Sequence, residues 1–114
     1  MANISQDRVA DTTTTTGTGA VTLANSPPTG FRTLNNVAST GDTFRYEIAH
    51  QTASEWETGI GRYSGSHVFT RETILSSSNS NAAVNFSSGT KDFFITHAGR
   101  DIAFTNAAMM FGAL

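Results

Sequence analysis

Apolar and polar residues alternate along several short runs of this sequence. The clearest run places Phe44, Tyr46 and Ile48 at every second position, with polar or small residues between them. A period of two is typical of a β-strand that buries one face. Further runs that predict strands occur at short intervals and are separated by turn-forming Gly, Ser and Asn residues. They lie at 56–60, 68–75, 84–86 and 93–96.

Only one segment has helical spacing. Phe31, Leu34 and Val37 stand three apart, which predicts one or two helical turns within residues 31–38. Two consecutive prolines precede this segment and predict a loop, because proline lacks a backbone donor. Short strands separated by turns indicate an all-β fold in a single domain. We predict an antiparallel β-sandwich or small barrel with at most one short helix and extended terminal arms.

A run of threonines, Thr12 to Thr16, precedes Gly17-Thr18-Gly19 and a second alternating segment. β-Branched residues favour strands, so we expect a hairpin centred on Gly17–Gly19. A disordered threonine linker is the alternative. A polar β-branched strand suits a sheet edge or a contact between subunits. We therefore assign three threonines to a subunit interface: Thr12, Thr14 and Thr16.

In the run 55–61, Trp56 and Ile60 occupy one face and Glu55 and Glu57 the other. We expect the apolar face to be buried and the glutamates to form a solvated acidic face. The two glycines of this run predict a β-bulge or a close approach of another backbone. The predicted core consists of Phe44, Tyr46, Trp56, Ile60, Phe86, Phe93 and Ile95.

Both ends of the chain differ from its middle. Residues 1–11 are polar and predict an N-terminal arm, followed by a β domain over 12–99. Residues 100–114 are apolar and nearly uncharged. They form either a last strand of the core or, as we favour, an arm docked on another subunit, since a solvated tail rarely has this composition. The interface residues predicted in this segment are Ile102, Phe104, Met109, Met110, Phe111 and Leu114.

Composition narrows the function classes. The chain has 114 residues, of which only 14% are charged, and a formal net charge of −2. Its basic residues are dispersed, so we expect no nucleic-acid partner. The absence of Cys excludes disulfides, thiolate metal sites and cysteine nucleophiles. No apolar run is long enough to predict a membrane span, and we expect no secretory signal, because the N-terminus lacks an apolar stretch.

No group of residues predicts catalysis. His50, His67 and His97 are dispersed, and we expect each to form hydrogen bonds at a strand end instead of binding a metal. Glu55 and Glu57 share one strand and lie too close together for the opposed carboxylates of a glycosidase. The Gly-Ile-Gly of the same strand lacks the helix and Lys of a phosphate loop, and no Gly-x-Ser-x-Gly elbow is present. We predict no enzyme activity, no cofactor and no metal.

Several distinctive motifs occur together. The Thr-rich segment is followed by W-E-x-G-x-G-x-Y at 56–63, by S-S-N at 77–79 and by A-V-N-F-S-x-G-T-K-D at 83–92. In combination, over residues 7–99, these motifs resemble a recurrent module of tailed-bacteriophage structural proteins. In that family the module looks like the attachment or base domain of tail fibres, spikes or head-decorating fibres. This sequence encodes neither a fibre shaft nor a receptor-binding tip, so the resemblance implies a base, adaptor or decoration subunit.

The resemblance implies a virion protein, made in the host bacterial cytoplasm, that attaches a tail fibre or head spike to the particle through β pairing and terminal arms. Its expected partners are other virion proteins and further copies of itself. We expect a homotrimer, because closed symmetry also protects edge strands. The alternative function is a carbohydrate-binding β module with an exposed aromatic residue as the sugar platform: Trp56, Tyr46 or Tyr63.

Overall fold

The computed structural model describes residues 3–96, which form seven strands and one short helix. The strands, in chain order, are β1 (Asn3–Ile4), β2 (Ala10–Thr13), β3 (Val21–Thr22), β4 (Thr43–His50), β5 (Trp56–Gly65), β6 (Val68–Ser77) and β7 (Lys91–Ile95). The helix α1 (Leu34–Val37) lies between β3 and β4. No helix within residues 3–96 is long and apolar enough to cross a membrane.

Six strands pair in the order β2-β7-β4-β5-β6-β3, and every pair in this series is antiparallel. The two end strands then approach each other. The Ala24 N–H donates to the Thr12 carbonyl at 2.8 Å, and the Thr13 hydroxyl donates to the Thr22 carbonyl at 2.6 Å. We call this contact the seam, and it nearly closes the sheet into a small barrel. The predicted all-β antiparallel class is confirmed.

Aromatic side chains from β4 form the centre of the core. Phe44 and Tyr46 are fully buried there, as the alternation predicts. The ring of Phe44 meets that of Phe69 edge-on, with centroids 5.3 Å apart. Such pairs contribute about 0.5–1.5 kcal/mol beyond area burial. Three further predicted core residues also lie in or against this cluster: Phe86, Phe93 and the partly buried Ile95.

The predicted orientation of β5 is wrong. Glu57 is fully buried, whereas Trp56 is 40% exposed and Ile60 is only half-buried on the outer face. Neither Trp56 nor Ile60 therefore belongs to the core. The residues that face inward from β5 are instead Glu57, Gly59, Gly61 and Tyr63.

The physical reason is that Gly59 and Gly61 make room for the rings of β4. Tyr46 lies directly opposite Gly59, and Phe44 lies opposite Gly61. A Cβ at Gly59 would come within 2.3 Å of a carbonyl oxygen of β6, and one at Gly61 within 2.7 Å of the Phe69 ring. The β5–β6 register also shifts immediately before each of the two glycines. The predicted bulge and close approach are both confirmed.

The predicted N-terminal arm is corrected over its described part. β1 pairs in parallel with the start of β4, opposite Thr43 and Phe44. Val9, Ala10 and Asp11 are buried. The β domain therefore begins with β1 and not at residue 12, because burial of Val9 and pairing of β1 hold this segment on the sheet.

The predicted hairpin around Gly17–Gly19 does not form. β2 pairs with β7, and β3 pairs with β6, so no backbone ladder joins the two segments. Threonine hydroxyls across the seam replace that ladder. The predicted strand near Phe86 is likewise reduced to a single bridge with Gly17.

The predicted short helix is confirmed at Leu34–Val37. Thr33 caps it, since its hydroxyl accepts the Asn36 N–H while the Asn36 side chain accepts the Thr33 N–H. Leu34 is fully buried and anchors the helix to the core. The predictions for 100–114, including all six interface residues there, lie outside the described residues.

Candidate functional site

A buried polar cluster lies between β4, β5 and β6. The side chains of Glu57 and Arg71 are 0% and 2% exposed, and Glu57 Oε1 pairs with Arg71 Nη1 at 2.8 Å. Glu57 Oε1 also accepts the Val84 N–H at 2.9 Å, and Oε2 accepts the Tyr46 hydroxyl at 2.5 Å. Burial, together with the hydrogen bond to Glu57, raises the pKa of Tyr46 above its ordinary value. The phenol therefore remains a proton donor to the carboxylate.

Arg71 also ties two loops to the sheet. Its guanidinium donates to the carbonyl oxygens of Gly17, Gly19 and Val84 at 2.9, 3.0 and 3.2 Å. It also lies over the ring of Phe86, 5.5 Å from the centroid. Gly17 and Gly19 belong to the loop after β2, and Val84 lies between β6 and β7. One charged donor thus fixes two segments that lack regular structure.

This cluster has the composition of a reactive site but not its accessibility. A general acid or base must come within hydrogen-bond distance of a substrate. Both oxygens of Glu57 already accept hydrogen bonds, and neither Glu57 nor Arg71 has appreciable solvent contact. No group of three His, Asp or Glu side chains within residues 3–96 is placed to hold a metal ion. The arrangement therefore serves to organise the fold.

The side chain of His50 makes hydrogen bonds at a strand end, as predicted, whereas the buried Nδ1 of His67 has no hydrogen-bond partner. His50 Nδ1 accepts the N–H groups of Thr52 and Ala53 at 3.1 and 3.0 Å. This assigns the proton to Nε2, which donates to the Ser88 carbonyl at 2.9 Å. His67 uses its backbone, donating its N–H to the Tyr63 hydroxyl. His97 lies outside the described residues.

A second polar cluster fixes the loop before β7. Lys91 is fully buried, and its Nζ donates to the carbonyl oxygens of Ser87 and Gly89, both at 2.8 Å. Burial lowers the pKa of this ammonium, an effect that the nearby Glu55 carboxylate opposes. Glu55 accepts the Ser87 hydroxyl at 2.6 Å and its N–H at 2.9 Å, which lowers the pKa of Glu55. These contacts are again structural.

Asp11 anchors the loop that precedes the two prolines. Its carboxylate accepts the N–H groups of Thr12, Asn25 and Ser26 at 2.8, 2.9 and 3.0 Å. Asp11 is only 2% exposed. A buried carboxylate with several N–H donors is satisfied without a counter-ion.

The threonine run presents two sides. Thr13 is buried, and Thr15 is half-buried with its hydroxyl accepting the Thr22 N–H at 3.0 Å across the seam. The predicted interface residues lie on the other side: Thr14 and Thr16 are exposed and Thr12 is half-buried. Their role in an interface remains a prediction.

The outer face of β4, β5 and β7 carries apolar side chains. Directly opposite residues share a face, which places Trp56 beside Ala49, Ile60 beside Arg45 and Phe94 beside Glu47. Trp56 is exposed, and Ile60, Phe94 and Ala49 are half-buried. We call Trp56, Ile60, Phe94 and Ala49 the outer-sheet surface. The solvent-facing side of a sheet is ordinarily polar. Apolar side chains grouped there are candidates for contact with another protein.

The chain leaves β7 beside this surface. The Thr96 N–H donates to the Arg45 carbonyl at 3.0 Å, which continues the β4–β7 pairing by one bond. Beyond that point β1 occupies the same side of β4, opposite Thr43 and Phe44, while β5 occupies the other side. β4 therefore offers no free edge to the residues that come after Thr96.

Sequence reasoning missed the buried polar residues. The alternation pattern predicts that Glu57 is solvated and gives no signal for Asp11, Thr13, Arg71 and Lys91, although all of them are buried or nearly so. The spacing of β5 does carry a signal for Glu57. It alternates with Gly59 and Gly61, and these two glycines must face inward because the rings of β4 pack against them.

Comparison with protein-family models, curated proteins and solved structures found no match.

Proposed function

We propose that this chain is a structural subunit of a tailed-bacteriophage virion. In this proposal it acts as a base, adaptor or decoration subunit that attaches a tail fibre or head spike to the particle. It binds further copies of itself, as a homotrimer, and other virion proteins through β pairing and terminal arms. The observation that carries the proposal is the outer-sheet surface, which presents an exposed Trp56 on a sheet whose other face is already packed.

The W-E-x-G-x-G-x-Y motif, which belongs to the resemblance to phage proteins, supports a contact role for Trp56. In W-E-x-G-x-G-x-Y, the Glu, both Gly and the Tyr all face inward, where they pack the barrel. Trp56 is the motif residue that faces outward. Packing therefore accounts for the other four positions but not for the tryptophan, and contact with a partner supplies a reason for it.

The sheet also has an edge available for β pairing. β3 pairs with β6 only at Val68 and Phe69, and no other described strand pairs with β6 on that side. The shifts in the β5–β6 register make β6 irregular, and the exposed Glu72 of β6 pairs with Arg62 of β5 at 2.6 Å. Such features discourage indiscriminate pairing, so a strand added here must match them.

The experiment that tests this proposal is the solution mass of the full chain by light scattering, beside a version that ends at Gly99. A trimeric full chain and a folded monomeric truncation support assembly through the C-terminal segment. A truncation that keeps the trimer moves the interface to the described barrel. Monomers of both versions at every concentration contradict self-assembly.

A second candidate function, a carbohydrate-binding module, is favoured by one observation. Trp56 is exposed, as a sugar platform requires, whereas Tyr46 and Tyr63 are buried and are excluded from that role. Titration of Trp56 fluorescence with oligosaccharides tests this function. A saturable, sugar-specific change supports it, and an unchanged spectrum across a glycan panel contradicts it.

A further inference from the structure

We propose that the outer-sheet surface is the acceptor for residues 102–114 of a neighbouring copy of this chain. The proposal rests on the function proposed above, because it names the surface that an assembly arm would bind. The arm contributes large apolar side chains, and Trp56, Ile60 and Phe94 receive them. Each subunit then both donates an arm and accepts one, as a closed ring of identical subunits requires.

The arm is apolar, as are Trp56, Ile60 and Phe94 on the outer-sheet surface. Residues 102–114 contain no charged side chain and include Ile102, Phe104 and Phe111. Adjacent strands lie about 4.8 Å apart, so Phe94 on β7 stands roughly 10 Å from β5 with its two apolar residues. These three side chains stand on three successive outward rows of β4, at Ala49, Glu47 and Arg45. A segment that runs obliquely over β7, β4 and β5 contacts all three and passes over the two charged residues between them. Burial of aromatic and Ile side chains favours association, because it removes apolar surface from water.

The chain leaves the barrel beside the outer-sheet surface, and the segment that follows is long. Thr96 lies opposite Arg45, on the row of the outer face that also contains Ile60. The 18 residues after Thr96 span at most about 60 Å when extended. The described domain measures 42 Å along its longest axis. The arm is therefore long enough to reach the corresponding surface of a neighbour.

The direction of β7 favours the outer-sheet surface of a neighbouring copy over the chain's own. β5 and β7 both pair antiparallel with β4 and therefore run in the same direction. Trp56 stands at the start of β5, whereas Thr96 comes after the end of β7. The chain at Thr96 consequently heads away from Trp56, and covering its own tryptophan requires an immediate reversal. An arm that binds a neighbouring copy requires no such reversal.

The test uses the full chain and its single tryptophan as a reporter. Fluorescence and light scattering are recorded together over a dilution series. We expect Trp56 emission to be blue-shifted in the oligomer and to shift to the red as the oligomer dissociates, because the arm removes water from the indole. Blue-shifted emission in a monomer at all dilutions would indicate an arm folded onto its own barrel and would overturn the proposal.

Substitutions in the full chain then locate the contact. Phe94→Ser and Phe104→Ser are each expected to raise the dissociation constant about tenfold or more, as for a buried interface aromatic. Phe31→Ser is the matched control, since Phe31 is 36% exposed but is not an outer-sheet residue and packs against the Arg8 guanidinium. The loss of association free energy in the double variant should be smaller than the sum of the losses in the two single variants, because the two side chains share one contact.

The outcomes separate this proposal from the one on which it rests. An oligomer that is weakened by Phe104→Ser but not by Phe94→Ser, with unchanged Trp56 emission, preserves the assembly arm and overturns this acceptor surface. A chain that stays monomeric at every concentration overturns both. Circular dichroism of each variant shows that the barrel is folded, so that a lost oligomer reports on the interface.

Discussion

Glu57 and Arg71 form an ion pair that is sealed inside the barrel, with 2.8 Å between Oε1 and Nη1. Arg71 lies opposite Gly61 on the neighbouring strand and reaches along the inner face of β5 to the carboxylate. The pair joins the sheet to the loops around Gly17 and Val84. Buried ion pairs are weak evidence for net stability, but breaking one leaves an uncompensated charge.

Removal of one partner from this pair should therefore be costly. We expect Arg71→Met to lower the free energy of unfolding by about 3–5 kcal/mol, because the Glu57 charge stays buried without its counter-ion. The double variant Glu57→Leu/Arg71→Met should recover part of that loss. Urea denaturation measures each value. If the double variant loses as much free energy of unfolding as the two single variants together, the two residues act independently.

Gly59 should not tolerate a Cβ. We expect Gly59→Ala to destabilise the fold by at least about 1–3 kcal/mol, the usual cost of overpacking, because the new atom meets a backbone carbonyl at 2.3 Å. Gly19→Ala is the matched control, since nothing lies within 4 Å of a Cβ there. Thermal unfolding of both variants checks the prediction. Equal melting temperatures would contradict the packing described for β4 and β5.

The seam depends on threonine hydroxyls. We expect Thr13→Val to lower the free energy of unfolding by about 0.5–1.5 kcal/mol, the net contribution of a typical hydrogen bond. The Thr22 carbonyl then loses the Thr13 hydroxyl as a donor and keeps that of Thr15 at 3.3 Å. Thr14→Val, on the exposed side of the same run, should change stability by less than about 0.5 kcal/mol. Chemical denaturation compares the two variants. Faster amide hydrogen exchange of Ala24 in Thr13→Val would locate the change at the seam.

Stability in alkali should depend on Tyr46. Its pKa is raised above the ordinary value of 10.0, so the unfolded chain loses this proton at a lower pH than the folded protein. The stability that the Tyr46 proton contributes is complete below pH 10.0 and is lost as the pH rises above that value. Lys91 acts in the opposite direction, because its pKa is lowered from 10.5 and stability rises as the pH approaches that value.

A comparison with Tyr46→Phe isolates the tyrosine contribution. The stability advantage of the natural chain over this variant should shrink as the pH is raised past 10.0, because the variant has no phenol to ionise at that position. Urea denaturation across the alkaline range measures the difference. A difference that stays constant over that range would show that the Tyr46 phenol ionises equally in the folded and unfolded chains.

The sequence was informative wherever a local pattern decides the structure. Alternation on β4 gave the burial of Phe44 and Tyr46, and three-residue spacing gave the single helix. On β5 the alternation itself was visible, but hydrophobicity selected the wrong face. Glu57 is buried because Arg71 and Tyr46 satisfy it, and these partners are distant in the chain.

Local sequence patterns are enough to specify an all-β chain with one short helix, because strand periodicity, glycine and proline act over a few neighbouring residues. Tertiary contacts select which strands pair, bring β2 and β3 together through threonine hydroxyls across the seam, and turn Trp56 outward and Glu57 inward. These features depend on partners many residues away. Long-range packing, and the satisfaction of each buried polar atom, select among faces that the local pattern leaves equivalent.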